Sequence, residues 1–222
     1  MFKPLIAALI VATPAAAAEK FTPPANCRLE LTVQLSSCQV AQHMTCSDLS
    51  EGDRRIVYAD GDGVFYDTVI DSETCWVRST DLRSGTVEVL GREARDPASF
   101  SALIATGRDD YDFTTDSTDG VTRRFVGYDA LTGVTKRIGG VTLEQTDFEL
   151  SAYDAAGQML FRRQGKQFIL RDQRLFFADS ETFENGMGQS VQTNDAPVTF
   201  SFPDDPGFGA AKPEFGCNAM MT

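Results

Sequence analysis

Histidine, tryptophan and basic charge are all scarce in this chain of 222 residues, and the first and last of these scarcities each narrow the classes of function. His43 is the only histidine and Trp76 the only tryptophan. A Ser-His-Asp or Cys-His site would have to use His43. No G-x-S-x-G elbow accompanies it, and Ala41-Gln42-His43-Met44 reads as a strand or surface segment. Lys and Arg total 20 against 32 Asp and Glu, a net charge of −12. Such a surface repels phosphate backbones and anionic headgroups, so nucleic acid is not an expected partner. Phosphate cradles are missing too. Gly139-Gly140 and Gly186-Met187-Gly188 lack a strand-to-helix setting and a Lys-Ser/Thr pair.

No apolar run is long enough to span a bilayer, which takes about 20 residues. The longest, Pro4 to Thr13, follows Lys3 and leads into Pro14 and Ala15 to Ala18. That order reads as a secretory signal peptide over residues 1–18, cut after Ala18. A lipoprotein needs a cysteine at the cut, and the first is Cys27. The expected mature chain begins at Glu19, is one charge more acidic, has no stable membrane insertion and resides in the periplasm or outside the cell.

Five cysteines are present: Cys27, Cys38, Cys46, Cys75 and Cys217. In an oxidising compartment they should pair, leaving one thiol over. If the strands Leu29–Leu35 and Cys38–Thr45 meet through a two-residue turn at Ser36-Ser37, Cys27 lies opposite Cys46. Cys217 could instead fasten the C-terminal tail to the N-terminal strand. The spacing fits no metal cluster, and neither metal nor cofactor is expected.

Short β-prone runs separated by Gly, Asp, Asn and Ser dominate the remainder. A linker, residues 19–26, carries Pro23-Pro24. Residues 27–203 read as a single antiparallel β domain, and residues 204–222 as an irregular C-terminal tail rich in Pro and Gly. The expected fold is mainly β: an antiparallel meander forming a barrel or sandwich, with one short helix near residues 97–106. Asp96 suits the N-cap and Pro97 the first turn. Phe100, Leu103 and Ile104 share a face, with the end near Gly107. Asp60-Gly61-Asp62-Gly63 and Asp81 to Gly85 read as hairpin tips. Tyr128 leads towards a turn ending at Gly133. Turns at Asp154–Gly157, Gln164-Gly165 and Asp172-Gln173 would align Leu150, Phe161, Phe168 and Phe177 in one apolar row.

Candidate chemistries are few. Asp60 to Asp71 superficially matches a calcium loop, but Phe65 stands where the turn glycine is required. Asp109-Asp110-Tyr111-Asp112, with Asp116 and Asp119, reads as a solvated acidic hairpin. Glu144, Asp147 and Glu149, or Glu181 and Glu184 beside Phe183, could supply paired carboxylates for glycoside hydrolysis. Sixteen phenylalanines read first as core, and otherwise as the lining of an apolar cavity. The leading expectation is an exported, non-catalytic binding or interaction protein, whose partner is an unknown small molecule or exported protein. A cell-envelope hydrolase using paired carboxylates, and an inhibitor-like or structural secreted protein, are the alternatives.

Overall fold

A computed structural model describes residues 19–92 and 94–217. The expected signal peptide, residues 1–18, lies outside the described residues, as do the last five of the tail. Thirteen strands follow one another: β1 (Cys27–Leu35), β2 (Gln39–Cys46), β3 (Arg54–Asp60), β4 (Gly63–Ile70), β5 (Trp76–Asp81), β6 (Val87–Leu90), β7 (Arg108–Ser117), β8 (Thr122–Ile138), β9 (Val141–Tyr153), β10 (Met159–Leu170), β11 (Leu175–Asn185), β12 (Ser190–Asn194) and β13 (Pro197–Ser201). They form one antiparallel sheet in which β1 to β12 lie in chain order and β13 returns to pair with β1. No helix among the described residues is long and apolar enough to cross a membrane.

The same side-chain chemistry makes several of the turns. Asp60, Asp81 and Asn185 each end a strand, Asp154 directly follows one, and all four accept backbone N–H bonds from residues two to four further on. These Asx turns reverse the chain at the β3–β4, β5–β6, β9–β10 and β11–β12 tips.

The sheet curls, so its concave face becomes the core. Leu31 and Val33 on β1, Ile56 on β3, Ile70 on β4, Leu143 on β9, Phe168 on β10, Phe177 on β11 and Phe200 on β13 meet in one cluster. The curl does not close into a barrel, and a single sheet is not a sandwich. The edge strands β12 and β13 are joined by Asp195-Ala196 but do not pair with each other. Instead the chain runs straight across the seam. Asp195 donates its N–H to Asp179 at the β11 side, and Ala196 accepts from the Ser36 N–H at the β1 side. Pro197, the first residue of β13, has no N–H to offer.

Three other expectations need correction. The helix α1 (Phe100–Thr106) is capped by Ser99, whose hydroxyl accepts from the Ala102 N–H, and not by Asp96. The Asp96 backbone is already exchanging both bonds with Asp112. Glu73 takes the anionic position at the first turn, accepting from the Ser101 N–H and hydroxyl. The second correction concerns Gln164-Gly165, which is not a turn. Phe161 and Phe168 lie on the same strand, β10, and Leu150 stands opposite Arg163. A Cβ at residue 165 would overlap the Ser180 carbonyl oxygen, so this glycine marks close backbone approach inside the sheet. The Phe168–Phe177 pair is as expected, across a 3₁₀ turn at Arg171–Gln173. Likewise Tyr128 does not lead to a turn. β8 runs on to Ile138 through a bulge between Leu131 and Thr135.

Two disulfides bind the N-terminal hairpin, Cys27–Cys46 and Cys38–Cys217. Disulfides suit an oxidising compartment. The β1–β2 turn spans three residues, with Cys38 in the left-handed region at φ 59°. A bulge between Leu29 and Leu31 absorbs the extra residue and brings Cys27 back opposite Cys46. Cys217 holds the tail, which is irregular but fixed. Gln42 Nε2 donates to the Ala210 carbonyl, Gln34 Nε2 to that of Lys212, and the Gly209 and Glu214 N–H groups donate to Thr32 and Gln34. Buried polar side chains on the convex face thereby satisfy a backbone with no strand partner.

Candidate functional site

Rows across the concave face can be read from the register. Asp109 on β7 stands opposite Asp129 on β8, which stands opposite Phe148 on β9. One step along, the row is Tyr111, Gly127, Leu150 and Arg163; the next is Phe113, Phe125, Ala152 and Phe161. Gly127 is required here. The Tyr111 ring lies over it, and an added Cβ would meet the ring's Cε2 at 2.7 Å. The Tyr111 hydroxyl then donates to the Glu149 carbonyl at 3.2 Å.

These rows do not fill the curl. A cavity of about 250 Å³ remains, walled by Ile56, Tyr58, Ile70, Trp76, Tyr111, Phe113, Phe148, Leu150, Phe176 and Phe177, with Asp129 and Arg163 among them. A second lobe of about 350 Å³ shares Tyr58, Thr68, Trp76, Arg163 and Phe177 with the first and adds His43, Phe65 and Tyr66. Trp76 stacks edge-on against Phe113 and Phe125 at centroid distances of 6.0 and 5.5 Å. It is 40% exposed, which puts it where the cavity meets solvent.

The polar groups in this wall are unequal. Arg163 is committed: its Nε and Nη2 donate to the two Glu181 carboxylate oxygens at 3.0 and 2.7 Å. Thr68 donates to the Arg78 carbonyl. His43 is not committed. It is 1% exposed, with its ring 5.6 Å from Phe177, and neither ring nitrogen has a partner. Burial, with Arg54 a smaller influence, pulls its pKa down to about 3, so the imidazole is neutral. Burial likewise pushes the Tyr58 hydroxyl up to about 12. Among the described residues the Asp129 carboxylate has no hydrogen-bond or ion-pair partner. Burial first, and Asp109 second, raise its pKa to about 7. Asp109 itself is buried and accepts from the Ser99 N–H.

The carboxylates proposed for hydrolysis do not converge on this cavity. Glu144 pairs with Arg171 of the 3₁₀ turn, and Asp147 with Lys166, Glu149 with Arg162 and Glu181 with Arg163 across strands. Arg171 holds the Glu144 carboxyl below its ordinary value, the opposite of what a general acid needs. Glu184 stands opposite Arg162. The acidic stretch does form a hairpin, β7 with β8 and Asp119 at its turn, but it is not wholly solvated. Asp109 points inward, Asp110 pairs with Arg108, and Asp112 pairs with Arg124. Asp60 is a hairpin tip, engaged by Arg83. Of the cysteines, only Cys75 is free; it is buried, and burial pushes its thiol up to about 11, away from the thiolate a nucleophile requires.

The sequence alone assigns no site role to Tyr58, Trp76, Asp129 or Arg163. For Asp129 a signal existed, since Phe125, Gly127 and Asp129 alternate along one strand face. No protein-family model matches the chain, and no curated protein or solved structure matches it.

Proposed function

We propose that this is an exported, non-catalytic binding protein that takes a small, largely apolar ligand into the concave face of its sheet. One observation carries the reading: an aromatic cavity whose wall holds polar groups left without protein partners. Binding sites combine apolar walls with a few convergent polar groups in this way. An apolar body would lie against Ile56, Phe113, Phe148 and Phe177. The neutral His43 ring offers one donor and one acceptor, and Tyr58 a hydroxyl, so a bound molecule could satisfy what the protein does not. The pairing of Glu144, Asp147, Glu149 and Glu181 with basic residues counts against the hydrolase alternative.

The test uses the oxidised chain from Glu19 onward and the neutral probe N-phenyl-1-naphthylamine. Saturable probe emission with a one-to-one endpoint, accompanied by a shift in Trp76 fluorescence, is expected. Phe148→Arg, which places a charged side chain in the cavity wall, should abolish both while Phe161→Leu weakens them only slightly. Binding that never saturates, or that survives Phe148→Arg unchanged, overturns the reading.

A further inference from the structure

We propose that the ligand is an organic monocation, an amine or quaternary ammonium carried on an apolar body, and that Asp129 is its counter-ion. This rests on the cavity being a binding site, as argued above, and adds the charge of what enters it.

Three observations converge. First, Asp129 is the one carboxylate in the wall of the 250 Å³ lobe, and it has no partner among the described residues. Asp129 is half-buried; a carboxylate partly withdrawn from water without a counter-charge is destabilised, and a bound cation relieves that cost. Second, the only cation in the same wall is already neutralised, because Arg163 is held by Glu181 through two bonds. An anionic ligand would have to compete with Glu181 for Arg163 while standing near Asp129. Third, the faces available to an apolar cation are aromatic: Tyr58, Trp76, Tyr111, Phe113 and Phe148. Aromatic walls attract ammonium groups through the ring quadrupole, by about 0.5–2 kcal/mol per contact. The net charge of −12 favours the approach of a cationic ligand.

The surroundings of Asp129 define how binding should depend on pH. Across β7 stand Asp109 and Tyr111; across β9 stands Phe148, which does not titrate. Tyr58 on β3 and Arg163 on β10 line the same lobe, and Ala98 and Thr74 close it beside α1. Asp109 is the one charged neighbour that influences Asp129, and both influences on Asp129 favour its protonated form. A cation favours the ionised form instead, so cation affinity rises with pH up to about 7 and then levels off.

Three probes of matched shape separate the outcomes: 3-phenylpropylamine, 3-phenylpropanol and 3-phenylpropionate, titrated calorimetrically into the oxidised chain. At pH 8 the amine should bind at least ten-fold more tightly than the carboxylate. That margin should shrink several-fold at pH 5.5, and amine binding at pH 7 should release a proton. Asp129→Asn should remove the amine's advantage over phenylpropanol together with its pH dependence. Equal or tighter binding of the carboxylate, or an amine advantage that survives Asp129→Asn, overturns the assignment while leaving the cavity as a binding site. Failure of all three probes would instead overturn the binding-protein reading on which it stands.

Discussion

Gln42 and His43 are neighbours on β2, each 1% exposed, and they meet opposite fates. Gln42 faces the convex side beneath the tail. Its amide accepts from Thr32 and donates to Ala210, both at 2.7 Å. His43 faces the cavity and bonds to nothing among the described residues. The convex face is a finished interface in which the protein supplies both partners. The concave face is buried but unfinished. Buried polar groups are nearly always satisfied, so the exceptions identify where something is missing.

The comparison can be broken most forcefully at the bridge. Replacing Cys38 and Cys217 together by Ser should cost about 3–5 kcal/mol, because the bridge spans 179 residues of chain and closes a long loop. Urea unfolding under oxidising conditions measures this, and limited proteolysis should cut first within residues 204–217. Gln42→Leu comes next, at about 2–3 kcal/mol, since it leaves the Ala210 carbonyl and the Thr32 O–H donor unpaired in a buried interface. His43→Phe, one residue away and no more exposed, should be neutral or stabilising by up to about 1 kcal/mol, because it removes polar atoms with no partner to lose. Equal losses at residues 42 and 43 would contradict the contrast.

The pH dependence sharpens the comparison further. His43 is held down to about 3, so between that value and about 6.5 the unfolded chain binds the extra proton and stability rises with pH. Asp129 is held up to about 7, so the folded chain binds the extra proton from about pH 4 to 7, and stability falls with pH. The two slopes oppose each other over pH 4–6.5. His43→Phe should leave a profile that falls more steeply across that window, and Asp129→Asn one that rises more steeply. Both are read as shifts in urea midpoint between each variant and the parent chain at pH 4 and pH 6.5.

Much of the fold was legible because strand periodicity and Asx chemistry are local. Asp60, Asp81 and Asp154 announce their turns from their own side chains. The Cys27–Cys46 pairing was legible for an incomplete reason: the turn holds one more residue than expected, and the bulge at Glu30 cancels the error. Gly165 misled because glycine serves both turns and close backbone approach, and only the position of Ser180 distinguishes them. The curl itself was not legible. Which apolar face closes on which depends on contacts among β1, β3, β9 and β13, far apart in sequence. For the same reason the cavity could be considered in principle but not placed, and Arg163 could not be separated from the other strand arginines.

The straight run through Asp195-Ala196 has a kinetic consequence. Eleven neighbouring strand pairs join consecutive segments, and each can zip from its own turn or connection as soon as its residues meet. β1 with β13 is the exception, and its partners Thr32 and Ser201 are among the most distant paired residues in the chain. Loop-closure entropy falls almost entirely on that one event. A refolding experiment should therefore show rapid gain of β signal, followed by a slower phase in which the first strand captures the last. Keeping Cys38–Cys217 oxidised should accelerate that phase, while Cys27–Cys46 should leave its rate almost untouched.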